Sequence, residues 1–323
     1  MELRLHPRAQ AHGKTIVLGE HSVVHGYPAL AAGLPGGVTL TASPRPDPRQ
    51  PSTLRIPAWG IDLELRVESE HPVARAALEV LGHCDGPLTG WAIAAQSTLL
   101  PGAGLGSSAA LTVALARLAL GPHADVGAVV EASLAGERIF HGEPSGLDSQ
   151  VAARGGLLRF VRGQEPTPIP LSEPLPLLIV PSGVERRTAV QVAQVRARVE
   201  RLPALGRPLL EVLGRSVDEG IETLRASKGP HDRARLGEIM QVAHGVLAAL
   251  GVSCAALDAL CSTALRHGAL GAKLTGAGGG GCVLVLPGDD PRPIIDAFTQ
   301  QGHAPISFVL HGSSPSTASP TLP

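Results

Sequence analysis

The sequence predicts an α+β protein of two lobes, and three observations predict it. Short alternating or β-branched runs interleave with long Ala- and Leu-rich runs along all 323 residues, without the regular strand–helix period of a parallel α/β sheet. Two glycine-rich segments, 102–106 and 276–281, each lie beside an apolar run, the pattern of a strand ending in a special turn. Hydrophobic residues make up 44% and charged residues 17%, so the chain is globular and long enough to bury a large core.

In order, Lys14–Leu18 reads as a short strand followed by a turn at Gly19–His21, and Ala29–Gly33 and Val38–Ala42 as extended segments interrupted by glycines. The run 43–52, rich in Pro and charge, is a solvated loop. Residues 54–67 alternate apolar Ile61, Leu63, Leu65 and Val67 with Asp62, Glu64 and Arg66, which predicts one half-buried strand. Val73–Leu81 reads as a helix, and Trp91–Leu99 as a strand running into the first glycine turn. Ser108–Leu120 and Val126–Phe140 are helical, and Gly155–Val161 and Pro176–Val180 are strands. Four helical stretches follow, at about 187–201, 206–226, 233–250 and 253–267. Strands Ala272–Leu274 and Gly281–Leu286, a helix Ile294–Gln301 and a strand Pro305–Leu310 complete the pattern. This places the lobes at 1–175 and 176–311, with the low-complexity tail 312–323 read as disordered.

Composition narrows the function. A net charge of −1 leaves no basic field for nucleic acid or anionic membrane, so a phosphate ligand needs a local site. Aromatic residues are 2% of the chain, too few for base-stacking or sugar-stacking surfaces. Cys84, Cys254, Cys261 and Cys282 form no CxxC pair and read as reduced thiols. With no apolar leader at MELRLHPRAQ and no run of 18 apolar residues, the expectation is a cytoplasmic protein without membrane partners. A homodimer is an allowed assembly.

The strongest local signal is Pro101-Gly102-Ala103-Gly104-Leu105-Gly106-Ser107-Ser108, between a predicted strand and a predicted helix. Its glycines let the backbone turn tightly and present N–H groups to an anion, and the helix behind aims its positive end at the same place. Ser107 and Ser108 can cap that helix or offer a hydroxyl to a metal. The segment is neither a Walker A loop nor a dinucleotide fingerprint. Upstream, Ala11–Gly26 gathers Lys14, Glu20, His21 and His25 around an apolar strand. Downstream, Glu137 and Asp148 flank a Pro-Ser-Gly turn, and phosphoryl transfer uses carboxylates both to receive a hydroxyl proton and to bind Mg²⁺. A third segment, Lys273-Leu-Thr-Gly-Ala-Gly-Gly-Gly-Gly-Cys282, precedes a Val/Leu strand.

Together, in this order, the three segments resemble the three motifs of the GHMP kinases. The stretches at 14–26 and 137–148 resemble the mevalonate kinase branch in particular. The resemblance spans roughly residues 8–310. It implies an N-terminal lobe like ribosomal protein S5 domain 2 and a ferredoxin-like C-terminal lobe, and ATP with Mg²⁺ as cofactors. The implied activity is phosphorylation of the mevalonate 5-hydroxyl. Carried over residue by residue, it implies that Pro101–Ser108 wrap the ATP phosphates and that Ser108 and Glu137 hold Mg²⁺. Asp148 and Lys14 would be catalytic, with Asp148 either removing the hydroxyl proton or orienting the hydroxyl. Lys14, Glu20, His21, Asp148 and Thr188 would face the substrate. Thr275, Gly276, Gly278 and Gly279 would support the site, and Arg186 or Arg187 would either steer a carboxylate or stay solvated. Glu143 departs from the usual Asn of the animal enzymes. Two other readings are a sister kinase acting on phosphomevalonate or a sugar, and a non-catalytic ATP sensor. The second would be expected to lack Lys14, Glu137 or Asp148, and all three are present.

Overall fold

A computed structural model describes residues 4–99, 102–226 and 230–311. Pro101 and the 312–323 tail, both singled out in the sequence, lie outside those residues. The chain forms two compact units, one of the residues up to Thr15 with Gly33–Gly155, the other of Ile16–Ala32 with the residues from Gly156 onward. The first two strands, β1 (Arg8–Leu18) and β2 (Ala29–Pro44), therefore each contribute residues to both units.

In the first unit β2 pairs antiparallel with β5 (Trp91–Ser97), from Val38 opposite Ser97 to Pro44 opposite Trp91. Strand β3 (Thr53–Ile56) runs parallel to β5 and antiparallel to β4 (Ile61–Glu64), and β1 pairs with β2. Residues 54–67 are thus not one strand. Pro57 starts a single 3₁₀ turn that Gly60 ends at φ 66°, and the chain doubles back with Arg55 opposite Asp62. Proline cannot extend the ladder and glycine tolerates the left-handed turn. The two extended segments at 29–33 and 38–42 merge into one strand instead. Gly37 permits this, because a Cβ there would collide with the Ala11 carbonyl of β1.

Helices α1 (Pro72–His83), α2 (Ser107–Leu120) and α3 (Val126–His141) pack on one another. The middle one buries Ala109 through Ala116 without a break, which is how a core so poor in aromatics closes. His71 Nδ1 caps α1 by accepting from Val73 N–H at 3.2 Å, and Asp125 caps α3 from Ala128 N–H at 3.1 Å. A fourth helix, α4 (Leu147–Arg154), falls where only a turn was read. Glycines bound it at both ends, Gly146 at φ 86° and Gly155 at φ 65°. Its two turns are too short and too polar for periodicity to register.

In the second unit Ala29–Ala32 of β2 pair antiparallel with β6 (Leu157–Phe160), and β6 with β7 (Thr167–Pro168). A separate antiparallel sheet has the order β11-β8-β10-β9, from β8 (Leu175–Pro181), β9 (Ala269–Thr275), β10 (Cys282–Pro287) and β11 (Ile306–Leu310). Helices α5 (Thr188–Arg201), α6 (Pro203–Ala226), α7 (Pro230–Ala249) and α8 (Ala255–Arg266) form the first crossover, and α9 (Arg292–Gln300) the second. This is the strand order of a ferredoxin-like sheet with an enlarged first connection. Strand β10 is buried along its whole length and Phe298 of α9 is fully buried. All four cysteines are free thiols. Among the described residues no helix is long and apolar enough to cross a membrane.

Two glycines test this packing. A Cβ at Gly136 would lie 2.7 Å from Thr112 Cγ2 and 2.7 Å from Val80 Cγ2, whereas one at Gly82 meets nothing within 4 Å. Gly136→Val is expected to destabilise by about 1–3 kcal/mol through overpacking, and Gly82→Ala to stabilise by up to about 1 kcal/mol. Urea unfolding with an unchanged m-value is the measurement.

Candidate active site

In the first unit Lys14 is tied to the glycine loop through its backbone and its stem. Its N–H donates to the Leu105 carbonyl at 2.8 Å, and a Cβ on Gly106 would come within 2.6 Å of Lys14 Cγ. Gly102, Gly104 and Gly106 all have positive φ, at 74°, 85° and 75°. Leu105 is buried as the anchor, while Ala103 and Gly104 are half-buried. Gly106 is the N-cap of α2, and no side chain caps that helix. Its first N–H groups are left for an anion, with the helix dipole behind them. Ser107 and Ser108 are already helical residues, so the capping alternative does not hold.

Ser108 turns toward α3 instead. Its Oγ lies 3.3 Å from His141 Nε2. Glu137 is buried, and burial pushes its carboxyl up to about 8, with the Asp148 charge adding to the shift. The neighbouring Ser108 hydroxyl and the Lys14 charge oppose it. Glu137 Oε1 has no hydrogen-bond partner, and Oε2 faces His141 Nε2 at 3.8 Å. A buried carboxylate oxygen without a hydrogen-bond partner, on a group only partly compensated and near a serine hydroxyl, fits a hard divalent cation. Asp148 sits in the first turn of α4, and its Oδ1 pairs with Lys14 Nζ at 3.0 Å. The lysine is buried there, while 31% of the Asp148 side chain remains exposed. One compact unit therefore brings together Lys14, Gly106, Ser108, Glu137 and Asp148. Glu143 is exposed.

The remaining sequence-selected residues belong to the second unit. Glu20 forms an ion pair with Lys273, which is fully buried and also donates to the Leu274 carbonyl at 2.8 Å. Burial drives the lysine pKa down, opposed by the Glu20 charge. His21 has φ 61° and ψ −46° at the centre of a γ-turn closed by Ser22 N–H to the Glu20 carbonyl at 2.7 Å. This positive-φ turn is rare and strained for a residue with a Cβ. His21 Nε2 lies 2.9 Å from the Ala277 carbonyl. A carbonyl only accepts, so Nε2 carries the proton, and Nδ1 is buried with no partner. Thr275 Oγ1 accepts from Ile16 N–H at 3.1 Å and donates to the Ile16 carbonyl at 2.9 Å. Gly276, Gly278 and Gly279 have positive φ, and the Gly279 N–H donates to the Val252 carbonyl at 2.7 Å. The Arg186 guanidinium lies against Gly276, Arg187 is exposed, and Thr188 opens α5 half-buried.

A family model described as the GHMP kinases N terminal domain matches residues 70–156, and one described as GHMP kinases C terminal matches 221–304. The chain belongs to the GHMP kinase family. This GHMP kinase is 34% identical to the mevalonate kinase of Pyrococcus horikoshii over 320 residues, covering 92% of this chain and 93% of that one. It is 33% identical to the mevalonate kinase of Bos taurus over 352 residues, covering 89% and 87%. The solved L. major mevalonate kinase in complex with R-mevalonate is 26% identical, with a TM-score of 0.82 over 97% of this chain and 98% of that one. The Methanococcus jannaschii mevalonate kinase, 20% identical with a TM-score of 0.78 over 97% and 99%, shares the fold.

Two residues of these clusters were not selected from the sequence. Lys273 opens the third motif, but only the fold shows that it partners Glu20 from far along the chain. His141 could have been found from its spacing, since residues four apart on a helix share a face.

The buried histidines give a pH prediction. Burial is the main cause lowering the pKa of His12, His21 and His244 from 6.5. The unfolded chain therefore takes up these protons first, and stability falls as pH drops below about 6.5. Glu137, raised to about 8, acts in the opposite direction over the same range. The readout is therefore the difference between variants. Between about pH 7.5 and pH 5, the urea midpoint of His12→Asn should lose less than that of the parent, and equal pH slopes would contradict the burial of the His12 ring.

Proposed function

We propose that this GHMP kinase is a mevalonate kinase, an ATP-dependent phosphotransferase that converts mevalonate to 5-phosphomevalonate with release of ADP. The observation that carries the reading is its 34% identity to a mevalonate kinase across 92% of this chain and 93% of the relative. The clustering of Lys14, Ser108, Glu137 and Asp148 in one unit supports it. The reading keeps the lobes 1–175 and 176–311 as the working division and places the enzyme in the cytoplasm.

Each role follows from the local chemistry. The N–H groups of Gly102–Gly106 and the uncapped start of α2 suit the nucleotide phosphates, with Ser107 and Ser108 beside them. Ser108 and Glu137 would hold Mg²⁺, which when bound neutralises charge on the phosphates. Lys14, fixed by its backbone bond to Leu105 and paired with Asp148 at 3.0 Å, places an ammonium where the substrate hydroxyl would react. A cation there favours the developing alkoxide and offsets phosphoryl charge. Asp148, the more exposed partner, receives the hydroxyl proton or orients it, and a loose phosphoryl-transfer transition state asks little more of a base. Glu20, His21 and Thr188 are assigned to the substrate. Thr275, Gly276, Gly278 and Gly279 are assigned to the shape of the site.

A coupled assay of ADP release with mevalonate, phosphomevalonate, galactose and homoserine in parallel tests the assignment. Turnover is expected with mevalonate and with none of the others. ADP from another alcohol alone would reassign the substrate, and ATP binding with no turnover of any would make the protein a sensor. Asp148→Asn should lower kcat by about 10²-fold or more while the fold, read by circular dichroism, survives. An unchanged kcat would remove Asp148 from the mechanism.

A further inference from the structure

His141 stands beside both residues assigned to the metal, and no step of the proposed reaction uses it. Glu137 and His141 share one face of α3 as an i,i+4 pair, with Glu137 Oε2 3.8 Å from His141 Nε2. Ser108, reaching in from α2, puts its Oγ 3.3 Å from the same nitrogen. His141 Nε2 thus lies close to both a hydroxyl and a carboxylate oxygen. Donors on one face of an octahedral ion, each about 2.1 Å from it, stand about 3 Å apart. The two separations from His141 Nε2, 3.3 and 3.8 Å, are slightly wider than that spacing. The other carboxylate oxygen, Glu137 Oε1, is buried and without a hydrogen-bond partner.

We propose that His141 Nε2 is a third protein donor at this cation position, giving the site a hydroxyl, a carboxylate and an imidazole. This rests on the assignment of Ser108 and Glu137 to the metal. The chemistry of the donors sets the consequence. Mg²⁺ favours oxygen ligands and retains water, so an imidazole adds little for it. Mn²⁺ and Co²⁺ accept nitrogen and stand higher in affinity at a mixed N,O site. The protein should therefore bind Mn²⁺ more tightly than Mg²⁺, with His141 as the source of the difference. The competing account makes His141 only a basic residue in the last turn of α3, favoured there by the helix dipole. That account predicts no metal-dependent effect.

The experiment is Mn²⁺ binding to the full chain, followed by electron paramagnetic resonance with inorganic tripolyphosphate, which contains no nitrogen. Bound Mn²⁺ is expected to show electron spin-echo modulation from ¹⁴N, replaced by the ¹⁵N pattern in protein labelled with ¹⁵N-histidine. His141→Asn should abolish the modulation and weaken Mn²⁺ by about 10-fold or more. Mg²⁺ affinity, measured by competition, should move less than about twofold. Mn²⁺ that binds and is lost in Glu137→Gln, yet shows no nitrogen modulation in the parent protein, overturns the role of His141 and leaves the Ser108–Glu137 assignment standing. Binding that is indifferent to Glu137→Gln overturns that assignment, and the role of His141 with it. Because the modulation is read on the parent protein, a poorly folded variant does not rescue the proposal.

Discussion

A carboxylate removed from water stays ionised only where charge or hydrogen bonds compensate the lost hydration. Glu137 is that carboxylate in this protein, and the first unit can be understood from its needs. The helix that carries it is locked by the close approach of α1, α2 and α3 around Gly136. Compensation from the protein is partial: a serine hydroxyl and the Lys14 charge favour the ionised form, but that lysine is already engaged by Asp148. The remaining demand is for a cation. Packing energy from an Ala-rich helical core, rather than any property of the carboxylate, keeps the group where it is.

The same logic recurs in the second unit with the opposite outcome. Lys273 is fully buried but meets Glu20 directly, so its charge is compensated within the protein. Breaking such a pair leaves an uncompensated buried charge, which is costly. Next to it the strained turn at His21 is held from two sides, by the Glu20–Lys273 pair and by the bond from His21 Nε2 to the Ala277 carbonyl. The glycine run 276–281 makes that bond available, since five of its residues take positive φ. The third motif thus acts as a backbone scaffold that presents carbonyl and N–H groups, and its lack of side chains is what lets other segments approach.

Much of this was legible in the sequence. The long helices at 107–120 and 126–141 and the strands at 91–97, 175–181 and 282–287 follow from periodicity and apolar runs. The glycine loops follow from composition, because no other residue makes such turns without strain. Other features were hidden. Residues 53–64 alternate as one strand would, yet Pro57 and Gly60 fold them into a hairpin. Helix α4 is a two-turn element whose limits are set by flanking glycines rather than by a hydrophobic face. The glycines at 36 and 37 read as interruptions, while in the fold Gly37 lets β1 approach closely.

The sequence by itself determined the fold class, the family and the residue types able to carry phosphoryl transfer. Those properties reside in local patterns: period, glycine placement and motif order. Only the tertiary structure decided which residues meet. It moved Ile16–Ala32 into the company of Gly156 onward, paired Glu20 with Lys273, and set His141 beside Ser108 and Glu137. Such meetings depend on burial and long-range packing, which act between segments far apart in the chain. A linear pattern has no term for the low-dielectric surroundings in which a carboxylate becomes hungry for a cation.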